Sequence, residues 1–137
     1  MEEVVRARGH ENVTGRHAST LEVTTDDYLT AAGDCILGIE ADRTPAAFDR
    51  EFVSACADAD AMITLVLEAD GHTETVTGSG HPEIELTNDR GFVARTSTYV
   101  DDRTVLVDAD TAAGDVDRNL VSALADGADL TATLRVE

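Results

Sequence analysis

The chain has 137 residues, 42% apolar and only 4% aromatic, and sets 28 Asp and Glu against ten Arg with no Lys, a formal net charge of −18. That apolar content supports one packed core and argues against disorder. No apolar run approaches the roughly 20 residues that cross a bilayer, and the charged start MEEVVRARGH lacks a signal peptide's apolar segment, so the expectation is one soluble, cytoplasmic domain over 1–137.

In chain order, NVTGRHASTLEVT alternates, with Val13, His17, Leu21 and Val23 on one face, and predicts a strand. CILGIEA is apolar on both faces, as a central strand would be. Thr44-Pro45 predicts a helix start, with Thr as cap and Pro in the first turn. Phe48, Phe52, Ala55 and Cys56 then recur at helical spacing. AMITLVLEA predicts a strand, and Asp70-Gly71 a two-residue hairpin turn into HTETVTG. EIELT and FVARTS flank a turn at NDRG, and RTVLVDA is the counterpart of CILGIEA. A second helix presents Val116, Leu120, Ala123 and Leu124 and ends at Gly127. LTATLRVE alternates as a final strand.

The two helices contain nearly the same decamer, DREFVSACAD at 49–58 and DRNLVSALAD at 117–126. The match extends upstream to Ala41-Asp42 and Ala109-Asp110, and more loosely to Gly9-His10 and Gly80-His81. An internal duplication explains this, with halves at about 9–70 and 80–137, each strand-strand-helix-strand, packed about a pseudo-twofold axis. The expected fold is mostly β with two short helices, an internally duplicated β-sandwich-like domain. The alternative is a double-psi-like β-barrel.

The segments GHENVTGRHASTLEVT, LTAAGDCILGIEAD, GSGHPEIELT and RTSTYVDDRTVLVDADTAA resemble, in order and spacing, the archaeal family catalogued as domain of unknown function 371. The resemblance covers nearly the whole chain and implies a mostly-β, sandwich-like fold, an archaeal source and no established activity. Family members often carry Lys where this chain has Thr111, so either lysine has been lost generally or a ligand contact has gone. The GD followed by a strand also resembles the turn of double-psi barrels. Carboxylates spread along the whole chain, with lysine absent, suit the interior of a halophile. In molar salt the screening length falls to about 3 Å and self-repulsion largely vanishes. The net charge then reports habitat and does not exclude an anionic ligand.

Several residues could carry chemistry. His17 falls on an apolar face, where it is either a ligand contact or a core histidine bonded to backbone. His10 and His81 open the two halves and would converge on the axis. The spacings of these three with Asp34 match no metal signature, so no metal is assigned. Arg95 and Ser97 share a face, and Arg103 takes the place of Cys35. Two guanidiniums beside a hydroxyl suit a phosphate or carboxylate, with ion pairing to Asp101, Asp102 or Asp110 as the structural alternative. Asp42 and Asp110 are either a carboxylate dyad or caps. No phosphate-binding glycine loop or nucleic-acid stripe is present. The sequence thus points to a small polar or anionic ligand held between the halves by His10, His17, His81, Arg95, Ser97 and Arg103. A small hydrolase or transferase using histidines with Asp34 or Cys35, and an interaction module without a small-molecule site, are the alternatives.

Overall fold

Alternation of apolar and polar residues decides the larger of two sheets. The computed structural model describes residues 1–137. Strands β4 (Met62–Ala69) and β8 (Asp129–Val136) bury every second side chain, among them Ile63, Leu65, Leu67, Leu130 and Leu134. They pair antiparallel at the centre of a four-stranded sheet, flanked by β1 (Glu2–Arg8) on β8 and β5 (His72–Ser79) on β4. Asp70 and Gly71 both adopt positive φ, the geometry a two-residue hairpin between β4 and β5 requires.

The second sheet has β2 (Thr20–Thr24) antiparallel to β6 (Gly91–Arg95) at its centre, with β3 (Ile36–Gly38) and β7 (Thr104–Leu106) joined parallel outside them. The chain is therefore mostly β, with two sheets and two helices. No closed barrel forms, because the sheets meet at their corners only through the single bridges Arg8–Ile39 and Ser79–Val107. Those corners also explain CILGIEA. Its strand is a three-residue edge, not a central strand, and its two-sided burial comes from sitting where the sheets meet. The long alternation of NVTGRHASTLEVT yields a strand only from Thr20, since Gly15 turns the chain with φ 55°. EIELT is likewise not a strand, whereas HTETVTG forms β5 as the hairpin turn before it predicts.

Each helix is shorter than its apolar spacing suggests, for one local reason. Pro45–Ala47 and Ala113–Asp115 are 3-10 turns, and the helices proper are α1 (Arg50–Cys56) and α2 (Arg118–Ala125). Thr44 makes no capping bond. The caps are Asp49, accepting from Glu51 N–H at 2.8 Å, and Asp117, accepting from Asn119 N–H at 2.7 Å. Arg50 and Arg118 fold back to donate to Pro45 O and Ala113 O, both at 2.8 Å. The repeated Asp-Arg thus clamps the turn to the helix. Phe52, Val53 and Cys56 of α1, and Leu120, Val121 and Leu124 of α2, join one continuous core with Leu21, Leu37, Phe92 and Leu106. No helix is long and apolar enough to cross a membrane.

Candidate functional site

His10, His17 and His81 each serve a local turn. Gly9 N–H donates to Ala128 O just past α2, and His81 N–H donates to Cys56 O at the end of α1. Each Gly-His turn therefore closes over the helix of the other half of the chain. Only glycine fits there, because a Cβ on Gly9 would collide with the Leu124 carbonyl and one on Gly80 with those of Cys56 and Asp58. His10 Nδ1 accepts from Asn12 N–H at 2.9 Å and His81 Nδ1 from Glu83 N–H at 3.0 Å. His17 Nδ1 accepts from the N–H groups of Ser19 and Thr20, at 3.2 and 3.1 Å. All three stabilise turns, and none lines a cavity with Arg95 or Arg103. His10 lines a shallow depression beside Asp126. Asp42 and Asp110 do not meet as a dyad either. They accept from Arg6 N–H of β1 and Thr77 N–H of β5, at 2.9 and 3.0 Å. No three His, Cys, Asp or Glu side chains converge as a metal would need.

The arginines do come together, around a carboxylate. Arg95, 9% exposed, donates from Nη2 to Asp101 at 2.8 Å and from Nε to Thr104 Oγ1 at 2.9 Å, and its guanidinium lies 4.9 Å from the Tyr99 ring centre. Arg103 donates from Nη2 to the same Asp101 oxygen at 3.2 Å and from Nη1 to Glu22 Oε1 at 3.0 Å. Burial works against the Asp101 anion, but the Arg103 backbone N–H and the two guanidiniums outweigh it and hold the carboxyl below its ordinary range. Ser97 Oγ accepts from Tyr99 N–H and touches neither arginine. Arg95 and Arg103 are thus neighbours in an ion-pair cluster, and the anion they face is the protein's own.

One cleft opens beside this cluster, about 450 Å³ in volume. Glu22 and Thr24 of β2 and Ile36 of β3 form its floor with Gly91, and Asp26, Tyr28, Leu29, Thr30 and Gly33 of the following loop form one wall. Asn88, Arg90 and Arg103 form the other. The Glu22 side chain is only 15% exposed, and burial pushes its carboxyl above the ordinary range despite the Arg103 guanidinium. Glu22 Oε2 and Arg103 Nε make no hydrogen bond within the protein. Arg90 holds Asp26 through two bonds, at 3.2 and 2.7 Å. Tyr28 rims the cleft and is 57% exposed. Cys35 lies behind Glu22, and burial, then that carboxylate, pushes its thiol up. Burial alone pushes Cys56 up to about 12. Both cysteines are free, and neither is poised as a nucleophile.

Of the residues singled out from sequence, only Arg103 lines this cleft. Glu22, Asp26, Tyr28, Asn88 and Arg90 were not legible as a group, because β2, the loop after it and the turn before β6 meet only through the β2–β6 pairing. One signal was present: the loop after β2 runs eleven residues, 25–35, against eight, 96–103, after β6.

Two four-stranded sheets, two helices each met by the Gly-His turn of the other half of the chain, and a polar cleft beside the central pair of the smaller sheet define a mostly-β protein. Residues 5–137 match the family described as domain of unknown function (DUF371), and the chain belongs to that family. It is also 38% identical over 130 residues to an uncharacterized protein of Methanocaldococcus jannaschii, covering 95% of this chain and 96% of that one.

Proposed function

We propose that this archaeal-family protein binds a small polar ligand in the Glu22–Arg103 cleft, between two halves of an internally duplicated chain, in a salt-rich cytoplasm. Matched hydrogen bonds support the duplication. Thr25 N–H donates to Arg90 O and Thr96 N–H to Ser19 O; Glu22 N–H to Cys35 O and Val93 N–H to Arg103 O; Ala46 N–H to Asn88 O and Gly114 N–H to His17 O. On this reading Glu22 pairs in register with its own counterpart Val93, and Val66 with its counterpart Thr133. The axis then runs through the centres of both sheets. The sandwich-like description fits the two sheets enclosing one core.

The observation that carries the binding reading is where the halves differ. Scaffold residues agree: Gly9 and Gly80, Asp42 and Asp110, Asp49 and Asp117, Arg50 and Arg118. Around the cleft they do not. Glu22, Thr24, Ile36, Asn88 and Arg90 correspond to Val93, Arg95, Thr104, His17 and Ser19. A duplicated scaffold kept for stability has no need of chemical divergence at one spot, whereas a ligand site on the axis does. A polar ligand suits the cleft better than a multiply charged anion, because Arg90 and Arg103 are each held by a carboxylate.

The test is the native mass of protein purified in about 2 M KCl and exchanged into a volatile salt, compared with its denatured mass. A retained small molecule, lost in Arg103→Ala, supports binding. Equal masses, together with no ligand-induced shift of the Glu22 or Tyr28 resonances against a cell extract's small-molecule fraction, would leave an interaction module as the better reading.

A further inference from the structure

The second half contains a filled copy of the cleft, and the filling indicates what the open copy accepts. Counting outward from the matched strands, Arg95 stands where the first half has Thr24, Tyr99 where it has Tyr28, Asp101 where it has Gly33, and Thr104 where it has Ile36; Thr104 N–H donates to Asp101 O as Ile36 N–H does to Gly33 O. In the second half the flat guanidinium of Arg95 lies against Tyr99 and is tied to Asp101 and Thr104. In the first half the tyrosine stays and the plug is gone. The two partners that tie the Arg95 guanidinium have become a glycine, Gly33, and an aliphatic side chain, Ile36. We infer that the open cleft receives a flat, uncharged, hydrogen-bonding heterocycle of the nucleobase type, stacked on Tyr28 over Ile36. This rests on the binding reading above and names its ligand class.

Three features support the class. A planar group stacks on a tyrosine face whether or not it is charged, but the carboxylates lining the cleft, Asp26 and Glu22, are already paired with Arg90 and Arg103, so a buried cation would find no uncompensated counter-charge. Among the lining residues, Glu22 keeps one acceptor, Oε2, and Arg103 one donor, Nε, free of protein partners, and a donor with an acceptor is what reads a heterocycle's edge. The charges lining the cleft, Glu22 and Asp26 against Arg90 and Arg103, cancel. With Arg90 and Arg103 each already paired, no free cation is left for a phosphate, which favours a neutral base or nucleoside over a nucleotide. The volume falls in the range of small-molecule sites, roughly 300–1,000 Å³.

The experiment is a titration of the whole protein in about 2 M KCl, followed by calorimetry and by tyrosine resonances. The probes are the four common nucleosides and their bases, the 5′-monophosphates, guanidinium and inorganic phosphate. At least one base or nucleoside is expected to bind more tightly than its monophosphate. Tyr28→Ala should weaken that binding roughly tenfold or more, as loss of one stacking face does, while Tyr99→Ala leaves it unchanged. Rebuilding the second-half arrangement with Thr24→Arg, Gly33→Asp and Ile36→Thr together should abolish binding. The Tyr28 and Tyr99 pair decides the matter if that triple variant does not fold. Binding of guanidinium or phosphate in preference to every base overturns the ligand class and leaves the cleft a site. Equal losses from Tyr28→Ala and Tyr99→Ala overturn the stacking geometry. A retained ligand of another class in the native mass, with no base bound, overturns this inference alone, and absence of both overturns the binding reading as well.

Discussion

Replacing Arg95 by Ala separates a structural arginine from a ligand-binding one. The substitution removes a charge-assisted bond to Asp101 at 2.8 Å and a bond to Thr104 at 2.9 Å. It also removes the contact with Tyr99. Asp101 keeps Arg103 at 3.2 Å and the Thr104 hydroxyl at 3.1 Å, so no buried charge is left alone. One charged hydrogen bond contributes about 1.5–3 kcal/mol and an arginine on an aromatic face about 0.5–1 kcal/mol. The expected loss is therefore about 2–4 kcal/mol, read from urea unfolding at fixed KCl. The loss should depend on pH with a definite sign. A carboxylate held low in the folded state adds stability above its unfolded pKa and loses it as pH falls through the folded value. Asp101 is such a group, so the deficit of Arg95→Ala should be full near neutrality and shrink below about pH 4. A deficit below about 0.5 kcal/mol, or one that does not shrink in acid, would refute the ion-pair account and return Arg95 to the binding site.

Three further outcomes are expected. The thermal midpoint should climb steeply between about 0.1 M and about 2 M KCl, as self-repulsion from the −18 charge is screened; a flat profile would remove the halophile reading. Gly9→Ala should cost about 3 kcal/mol, because its Cβ meets the α2 backbone, whereas Gly127→Ala, with open space but φ 88°, should cost about 1 kcal/mol; equal losses in urea unfolding would contradict the close approach. Thr111→Lys should add about 0.2–1 kcal/mol in dilute buffer and nothing in molar KCl. Thr111 corresponds to Arg43, which pairs with Glu3 at 2.8 Å, and Glu74 stands where Glu3 does. Stabilisation that persists in molar KCl would contradict that surface pairing.

The β-rich character, the two helices and the β4–β5 hairpin were legible because each rests on local periodicity or turn chemistry. The errors came where a local pattern met a non-local constraint. His17 was placed inward by alternation with Val13 and Val23, but positive φ at Gly15 ends the extended chain before β2 begins. CILGIEA read as central because it is buried on both sides, which a sheet corner also provides. Thr44-Pro45 carries the signals of a helix start and begins a 3-10 turn, while the cap is the Asp of the repeated decamer. Period-two spacing put Arg95 and Ser97 on one face but could not supply Asp101 as the anion. Glu3, buried and bonded to both Arg43 and Asp49 N–H, gave no sign in a charged N-terminal segment.

The Gly-His turns carry the broader lesson about where a site can form. They were expected to converge on the axis because they occupy matching places. Each instead crosses to the helix of the opposite half, His81 to α1 and Gly9 to the end of α2, so each turn is tied to a different helix. On the duplicated reading, only residues at the strand pairs that cross the axis can meet their counterparts, which confines a shared site to the neighbourhood of Glu22 and Val93 or of Val66 and Thr133. Val66 and Thr133 line no cleft, whereas Glu22 shares one with Asp26, Tyr28 and Thr30 of the loop 25–35. That longer loop makes a wall, and the shorter loop 96–103, whose Asp101 holds Arg95, makes a plug. An axis through two sheets therefore offers two places for a ligand, and only the one flanked by unequal loops forms the Glu22–Arg103 cleft.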